Sequence, residues 1–181
     1  MSAVPCPTLL VVAKAPVAGQ AKTRIGRERG HALAAEIAAA SLLDTLETAG
    51  SVGWPVVVAL TGDVAQAARS EEIAAALSDV RVVPQHGDTL GERLARAHLD
   101  ADAGHGVVQV GMDTPQIGCA DYEEAGDALR RGATVLGPAS DGGWWLLGVQ
   151  HGTDARALRE VEMSRDDTGR RTEEAVGGDV V

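Results

Sequence analysis

The chain has 181 residues and a net charge of −10, a length that fits one domain and is short for two, and a charge that argues against nucleic acid as a partner. Its two cysteines, Cys6 and Cys119, make no disulfide framework. The N-terminus carries no basic n-region, and the apolar run at residues 9–13 is too short for a signal peptide or a membrane span, so a cytoplasmic protein without membrane association is expected.

Residues 8–13 (TLLVVA) form a continuous apolar run, stopped by Pro16, and read as a buried parallel strand. An Ala-rich stretch at 31–49 predicts a long helix with Gly50 as its stop. Residues 55–60 (PVVVAL) predict a second strand, Asp63 a cap for a helix running to Leu77, and residues 80–83 a short strand. Residues 89–103 are the clearest amphipathic helix, with Leu90, Leu94, Ala97 and Ala101 on one stripe. A strand at 106–110, a helix around Tyr122, Ala125 and Leu129, and strands at 133–136 and 144–149 follow. The tail from Thr153 is polar with weaker helical segments. Strands alternating with helices predict an α/β fold: a three-layer α/β/α sandwich around a mostly parallel sheet, with ligands beyond the carboxyl ends of the strands. There is no Phe, so the core must be built from Ala, Val, Leu and Ile, which suits helices packed closely on a Val-rich sheet.

Charge is unevenly spread. Residues 1–30 hold Lys14, Lys22, Arg24, Arg27 and Arg29 against Glu28 alone, and Lys14 and Lys22 are the only lysines in the chain. A focused positive patch on an acidic protein suggests a small anionic ligand; Arg27 and Arg29 read equally well as solvated surface charges. Within residues 13–26 (AKAPVAGQAKTRIG), Gly19 permits a tight backbone path and Lys22, Thr23 and Arg24 cluster beyond it. Backbone N–H groups, a hydroxyl and two cations at a strand end can cradle a polyphosphate. The alternative is a basic surface loop, and the GxxxxGK[ST] spacing of a P-loop is absent.

Three further segments carry candidate chemistry. In GMDTP (111–115), Asp113 follows a buried strand that Pro115 ends. Such a carboxylate either ligates Mg²⁺ or Mn²⁺ together with phosphate oxygens or caps a turn. In GPASDGGWWLLG (137–148), Gly142 and Gly143 allow close backbone approach, Asp141 stands at a cleft edge, and Trp144 and Trp145 form an apolar wall or belong to the core. In QHGDTLGERL (85–94), Gln85 can read a base edge and Gly91 can admit a flat ring, though a loop-to-helix junction accounts for both nearly as well. Zinc spacing, a GxSxG elbow and GxGxxG are all absent.

In this order, AKAPVAGQAKTRI, LGERL, GMDTP and GPASDGGWWLLG resemble the nucleotide-diphospho-sugar transferase superfamily with the GT-A fold. More narrowly they resemble the radical-SAM/selenodomain-associated transferase 1 group, also called DUF2064. The likeness spans about residues 8–168. It implies one GT-A-like domain over residues 1–181 in which Lys22 and Arg24 contact a nucleotide's phosphates and Gln85 and Gly91 belong to the base-reading segment; Lys14, Gly19 and Thr23 are expected in the same nucleotide site. It further implies that Asp113 binds Mg²⁺ or Mn²⁺ and that Asp141, Gly142 and Gly143 face the sugar or acceptor; Trp144 is expected in the same subsite, and Asp141 and Asp113 are the expected catalytic carboxylates, Asp141 as the candidate base. Family members continue into a late DVDT-type acidic segment, whereas this chain ends at GGDVV. The expectation is therefore a chain lacking that segment, one in which Asp166, Asp167 or Asp179 substitutes, or one with weakened metal binding.

The activity expected first is transfer of a glycosyl group from a nucleotide sugar to a small acceptor. The alternatives are a guanylyltransferase-like nucleotidyltransferase, which uses a nucleoside triphosphate and releases pyrophosphate, and a nucleotide-binding module without turnover.

Overall fold

The computed structural model describes residues 6–177. Six strands form one sheet in the order β3-β2-β1-β4-β6-β5. They are β1 (Thr8–Lys14), β2 (Val56–Thr61), β3 (Arg81–Pro84), β4 (Val107–Gly111), β5 (Val135–Pro138) and β6 (Trp144–Val149). β1 pairs in parallel with both β2 and β4, and β2 in parallel with β3, while β6 runs antiparallel to β4 and β5. The sheet is thus parallel apart from one reversed strand, the strand that returns in a hairpin from β5.

Both faces are covered, which is why the central strands read as unbroken apolar runs. Leu9, Val11 and Ala13 of β1 pack with α2 (His31–Ser51), α3 (Ser70–Ser78) and α5 (Cys119–Arg130) through residues such as Leu42, Ile73 and Tyr122. Leu10 points the other way and packs with α4 (Leu90–Ala101) and a 3₁₀ segment (Asp154–Glu160) through Leu94 and Leu158. The alternation follows from the two-residue period of a strand. The C-terminal helix α6 (Thr168–Val176) lies on this second face, where Val176 meets the Leu94–Leu158 cluster. No helix among the described residues is long and apolar enough to cross a membrane.

Two local expectations change. Asp63 does cap, accepting from Ala65 N–H at 2.9 Å, but it caps only a 3₁₀ turn (Val64–Gln66). The chain then breaks because Ala68 N–H is drawn to the carbonyl of Pro16 and Arg69 takes a left-handed conformation, so α3 starts at Ser70. A tertiary hydrogen bond overrides a favourable cap. The second change lies in the basic stretch, whose final part coils into a short helix, α1 (Thr23–Arg29).

The start of α4 follows its sequence closely. The Thr89 hydroxyl accepts from Glu92 N–H at 3.2 Å, and the Glu92 carboxylate accepts from Thr89 N–H at 3.1 Å. This reciprocal box satisfies two orphan donors of the first turn. Hydrogen bonds from the backbone at Thr89 and Asp88 hold the Glu92 carboxyl below its usual range. Removing the cap hydroxyl (Thr89→Ala) is expected to cost about 1 kcal/mol, read as a lower urea midpoint at unchanged slope.

Candidate functional site

The chain leaves β1 toward β2 and β3 on one side and returns to β4 on the other, so β1 and β4 flank the topological switch point. Open α/β sheets bind ligands in the crevice beyond the strand ends at that point. Here Val12 is registered opposite Gly111, and both line a cavity of about 630 Å³. Its walls include Leu90, Leu94, Trp144 and Met163, and its rim carries Asp113, Asp141, Asp166, Arg24 and Arg165. A second cavity of about 720 Å³ lies at the amino end of β2, bounded by Glu47, Glu72 and Asp79. Three carboxylates and no cation suit it poorly to a phosphate, so the switch-point cavity is the candidate site.

The rim is built from the two strand ends. Met112, buried just past β4, donates its N–H to the Val12 carbonyl at 3.2 Å, and its sulfur accepts the Lys14 N–H at 3.2 Å. These bonds tie the two strand exits together and fix the next residue, Asp113. Its carboxylate meets the Lys22 ammonium at 2.7 Å, with the Lys22 side chain 21% and the Asp113 side chain 60% exposed. Among the described residues Asp113 takes Lys22 and no backbone N–H of the following turn. Gly19, at φ +80°, sits in the turn that brings the loop back, where Gln20 and Ala21 N–H both bond the Val17 carbonyl. Lys22 itself is left-handed at φ 42°. A non-glycine residue held there costs on the order of 1–3 kcal/mol.

The opposite wall comes from the polar tail. Ser164, the second left-handed non-glycine residue at this cavity (φ 63°), lies in a strap spanning 163–168. The strap is tied to the 139–143 turn. Gly169 N–H bonds the Gly142 carbonyl at 2.8 Å, and a Cβ on Gly142 would stand 1.8 Å from the Asp166 carbonyl oxygen. With φ at +85°, Gly142 is required twice over, by conformation and by space. Trp144 donates from Nε1 to the Thr172 hydroxyl at 3.1 Å, which anchors the wall to α6. Asp141 accepts Gly143 N–H on Oδ1 at 3.1 Å, and its side chain lines the cavity.

Of the residues singled out from sequence, Arg24, Asp113, Asp141, Gly143 and Trp144 line this cavity, and Lys22 reaches it through Asp113. Lys14, Gly19, Thr23, Gln85, Gly91 and Gly142 do not line it. Lys14 Nζ bonds the Gln20 carbonyl at 3.2 Å and Thr23 opens α1. Gln85 gives its amide hydrogens to the carbonyls of Ala13 and Ala59, both at 2.8 Å, stitching the ends of β1 and β2; only its oxygen is left for a base edge. The close approach at Gly91 is made by the Leu158 carbonyl, 2.1 Å from where a Cβ would stand. Trp145 lines the cavity too, with its ring against Gly137. Among the acidic substitutes, Asp166 lines the cavity, Asp167 is bound to Arg171 at 2.6 Å, and Asp179 lies outside the described residues.

No group of three or more metal-ligating side chains is preassembled among the described residues. A magnesium-like ion fits only in the form it commonly takes, with one or two carboxylates and the ligand's phosphate oxygens completing the shell. Asp113 meets that requirement and stands beside a lysine that would share the phosphates.

Sequence reasoning passed over the floor. Gln109 is 3% exposed and lines the cavity, and its oxygen lies 2.9 Å from Nε2 of His98, which is 0% exposed. The signal was present: Gln109 is the one polar side chain in GVVQV, and His98 follows Leu94 by one helical turn.

The fold has solved counterparts. A structure from Desulfovibrio desulfuricans G20, provisionally assigned as a nucleotide-diphospho-sugar transferase, superposes with a TM-score of 0.81 at 26% identity, over 94% of this chain and 75% of that one. A nucleotidyl transferase from Methanothermobacter superposes at 0.56 with 18% identity, over 94% of this chain and 82% of its own. The 4-diphosphocytidyl-2C-methyl-D-erythritol synthase of Anaerococcus prevotii superposes at 0.61 with 11% identity, over 98% of this chain and 88% of its own. No curated protein matches the sequence. The fold is that of the nucleotide-diphospho-sugar transferases, and the chain is a nucleotide-utilising transferase. It belongs to the DUF2064 family, described as uncharacterized proteins conserved in bacteria, whose profile matches residues 43–165.

Burial lowers the His98 pKa to about 4, against smaller opposing effects of Gln109 and Asp102. A histidine that is neutral when folded takes up a proton on unfolding, so its contribution is complete above pH 6.5 and is lost as pH falls toward 4. Between those values the wild type is expected to lose about 3 kcal/mol more stability than His98→Leu, by denaturant titration at each pH.

Proposed function

We propose that the chain transfers a glycosyl group from a nucleotide-diphosphate sugar to a small hydroxyl-bearing acceptor. The observation that carries this reading is the Lys22–Asp113 ion pair at the mouth of the switch-point cavity. An ion pair this exposed is worth only about 0–1 kcal/mol to the fold. Its left-handed lysine and its position suit a diphosphate better than they suit stability. Lys22 and Arg24 supply the positive charge, and Asp113 is the carboxylate that would hold a divalent ion bound together with the phosphates. Bound there, Mg²⁺ or Mn²⁺ would add charge neutralisation of the diphosphate.

In the transfer, the acceptor hydroxyl attacks the anomeric carbon as its proton passes to Asp141. The bond from that carbon to the diphosphate oxygen breaks, and the nucleoside diphosphate departs with the developing charge met by Lys22 and Arg24. Fixed cations aimed at a leaving group are effective because they need no reorganisation during the reaction. Asp141 has one oxygen committed to Gly143 N–H, which fixes the carboxylate and leaves the other free for the proton. The likeness to the Desulfovibrio protein supports the nucleotide-sugar reading. Proteins such as the Methanothermobacter nucleotidyl transferase share the fold alone.

Calorimetry with UDP, GDP, CDP and their sugar conjugates, with and without Mg²⁺ or Mn²⁺, tests the site. Lys22→Ala should weaken diphosphate binding by about tenfold or more, equivalent to about 1.4 kcal/mol, and Asp113→Asn should remove the metal dependence. Melting temperatures should scarcely move. Unchanged affinities in both variants would sink the assignment. Release of pyrophosphate from a triphosphate donor would identify nucleotidyl transfer instead, and binding without any turnover would identify a nucleotide-binding module.

A further inference from the structure

The floor of the cavity holds an unexplained hydrogen-bond donor. Among the described residues, four side-chain polar atoms are buried without a partner: Thr8 Oγ1, His98 Nδ1, Tyr122 Oη and Asp167 Oδ1. The amide nitrogen of Gln109 is not one of them, and it bonds to none of the described residues. Since Gln109 lines the cavity, that nitrogen reaches the open space. The residue is nevertheless 97% buried, its relative exposure being 3%, on a strand whose neighbours are valines.

Its orientation is enforced from behind. His98 Nε2 lies 2.9 Å from the Gln109 oxygen. A neutral imidazole with its proton on Nε2 donates to that oxygen and leaves only an Nδ1 lone pair unmet. The reversed amide would donate to Nε2 and strand an Nδ1–H in an apolar core, because the ring has no other partner. An unmet buried donor is the rarer and costlier defect. The histidine therefore turns the amide hydrogens toward the cavity.

What such a donor reads follows from its surroundings. An amide is uncharged, and it shares the cavity with Leu94, Met163 and Trp144 and with the Asp141 and Asp166 carboxylates, beside Arg24 and Arg165. Those carboxylates accept hydrogen bonds from hydroxyls. A group that offers hydroxyl donors to the aspartates and a neutral oxygen to Gln109 is polyhydroxylated.

We infer that Gln109 is a specificity-determining residue that donates from its amide to a neutral hydroxyl or ring oxygen of the group carried on the nucleotide's diphosphate, with His98 as its positioning residue. This rests on the proposed nucleotide-sugar reading and assigns the sugar's subsite within it. Gln109 then reads the transferred group and leaves the phosphates to the rim.

The experiment compares each sugar nucleotide with its bare diphosphate: UDP-glucose with UDP, and GDP-mannose with GDP. Gln109→Leu is expected to reduce affinity for the better sugar nucleotide about tenfold or more while leaving the bare diphosphate unchanged. His98→Leu, which leaves the glutamine but frees its rotamer, should lose much of the same discrimination. The double variant His98→Leu/Gln109→Leu should lose no more than the worse single one, since the pair acts as a unit. It also guards against a folding defect, because replacing both hydrogen-bond partners together leaves neither stranded. Nitrogen-15 spectra should find the His98 proton on Nε2. Equal losses for sugar nucleotide and bare diphosphate, or no loss for either, would overturn the inference while leaving the rim assignment standing. Should the wild type bind no nucleotide at all, the proposed function fails. The Gln109 inference is then decided by titrating glucose and mannose against the Gln109 side-chain amide resonances, where a shift supports it and none overturns it.

Discussion

The contact between Lys22 and Asp113 organises the rest of the site. Neither residue has a neighbour in sequence that would bring it to the other. They meet because β1 and β4 lie side by side, with Val12 opposite Gly111, so the two chains leave the sheet at the same level. The Met112 bonds to Val12 and Lys14 then clamp the two exits. An exposed pair of this kind adds little to stability, and the backbone of Lys22 is held in a conformation that works against it. The arrangement makes physical sense when the pair is the resting state of two groups that divide between a phosphate and a cation.

The cavity has a second wall of different origin. The hairpin turn before β6 and the strap before α6 are interlocked at Gly142, where the Asp166 carbonyl fills the space a side chain would need. This brings Asp141, Asp166 and Arg165 to the rim opposite the basic loop. Asp166, from the chain's late segment, thus lines the cavity, while its neighbour Asp167 is held by Arg170 and Arg171.

Between the two walls the floor is almost wholly aliphatic, and a buried histidine and glutamine stand out within it. A polar pair in such a core is expensive unless satisfied, and here a His98 Nδ1 lone pair is unmet in the core and the Gln109 amide nitrogen is unmet by the described residues. In the proposed reading the rim meets charge and the floor a neutral oxygen, a division that suits a ligand with an anionic part and a polyhydroxylated part.

The sequence alone determined the layered α/β architecture, because apolar runs of strand length alternating with Ala-rich helical stretches admit few other packings. It also marked the two lysines, the acidic residue after β4 and the glycine turn before β6, since charge, proline and glycine act locally. What it could not decide was assembly. Only the tertiary structure brought Lys22 to Asp113, turned Gln85 and Gly91 toward structural partners, broke the helix expected after Asp63, and raised the polar tail into a cavity wall. Each of these depends on contacts between segments distant in the chain, and such contacts leave no periodic trace in the residues that make them. Gln109 lay between the two: a polar residue in a buried strand is visible in the sequence, but whether it faces a core partner or a cavity is settled only when the sheet is folded and a histidine stands behind it.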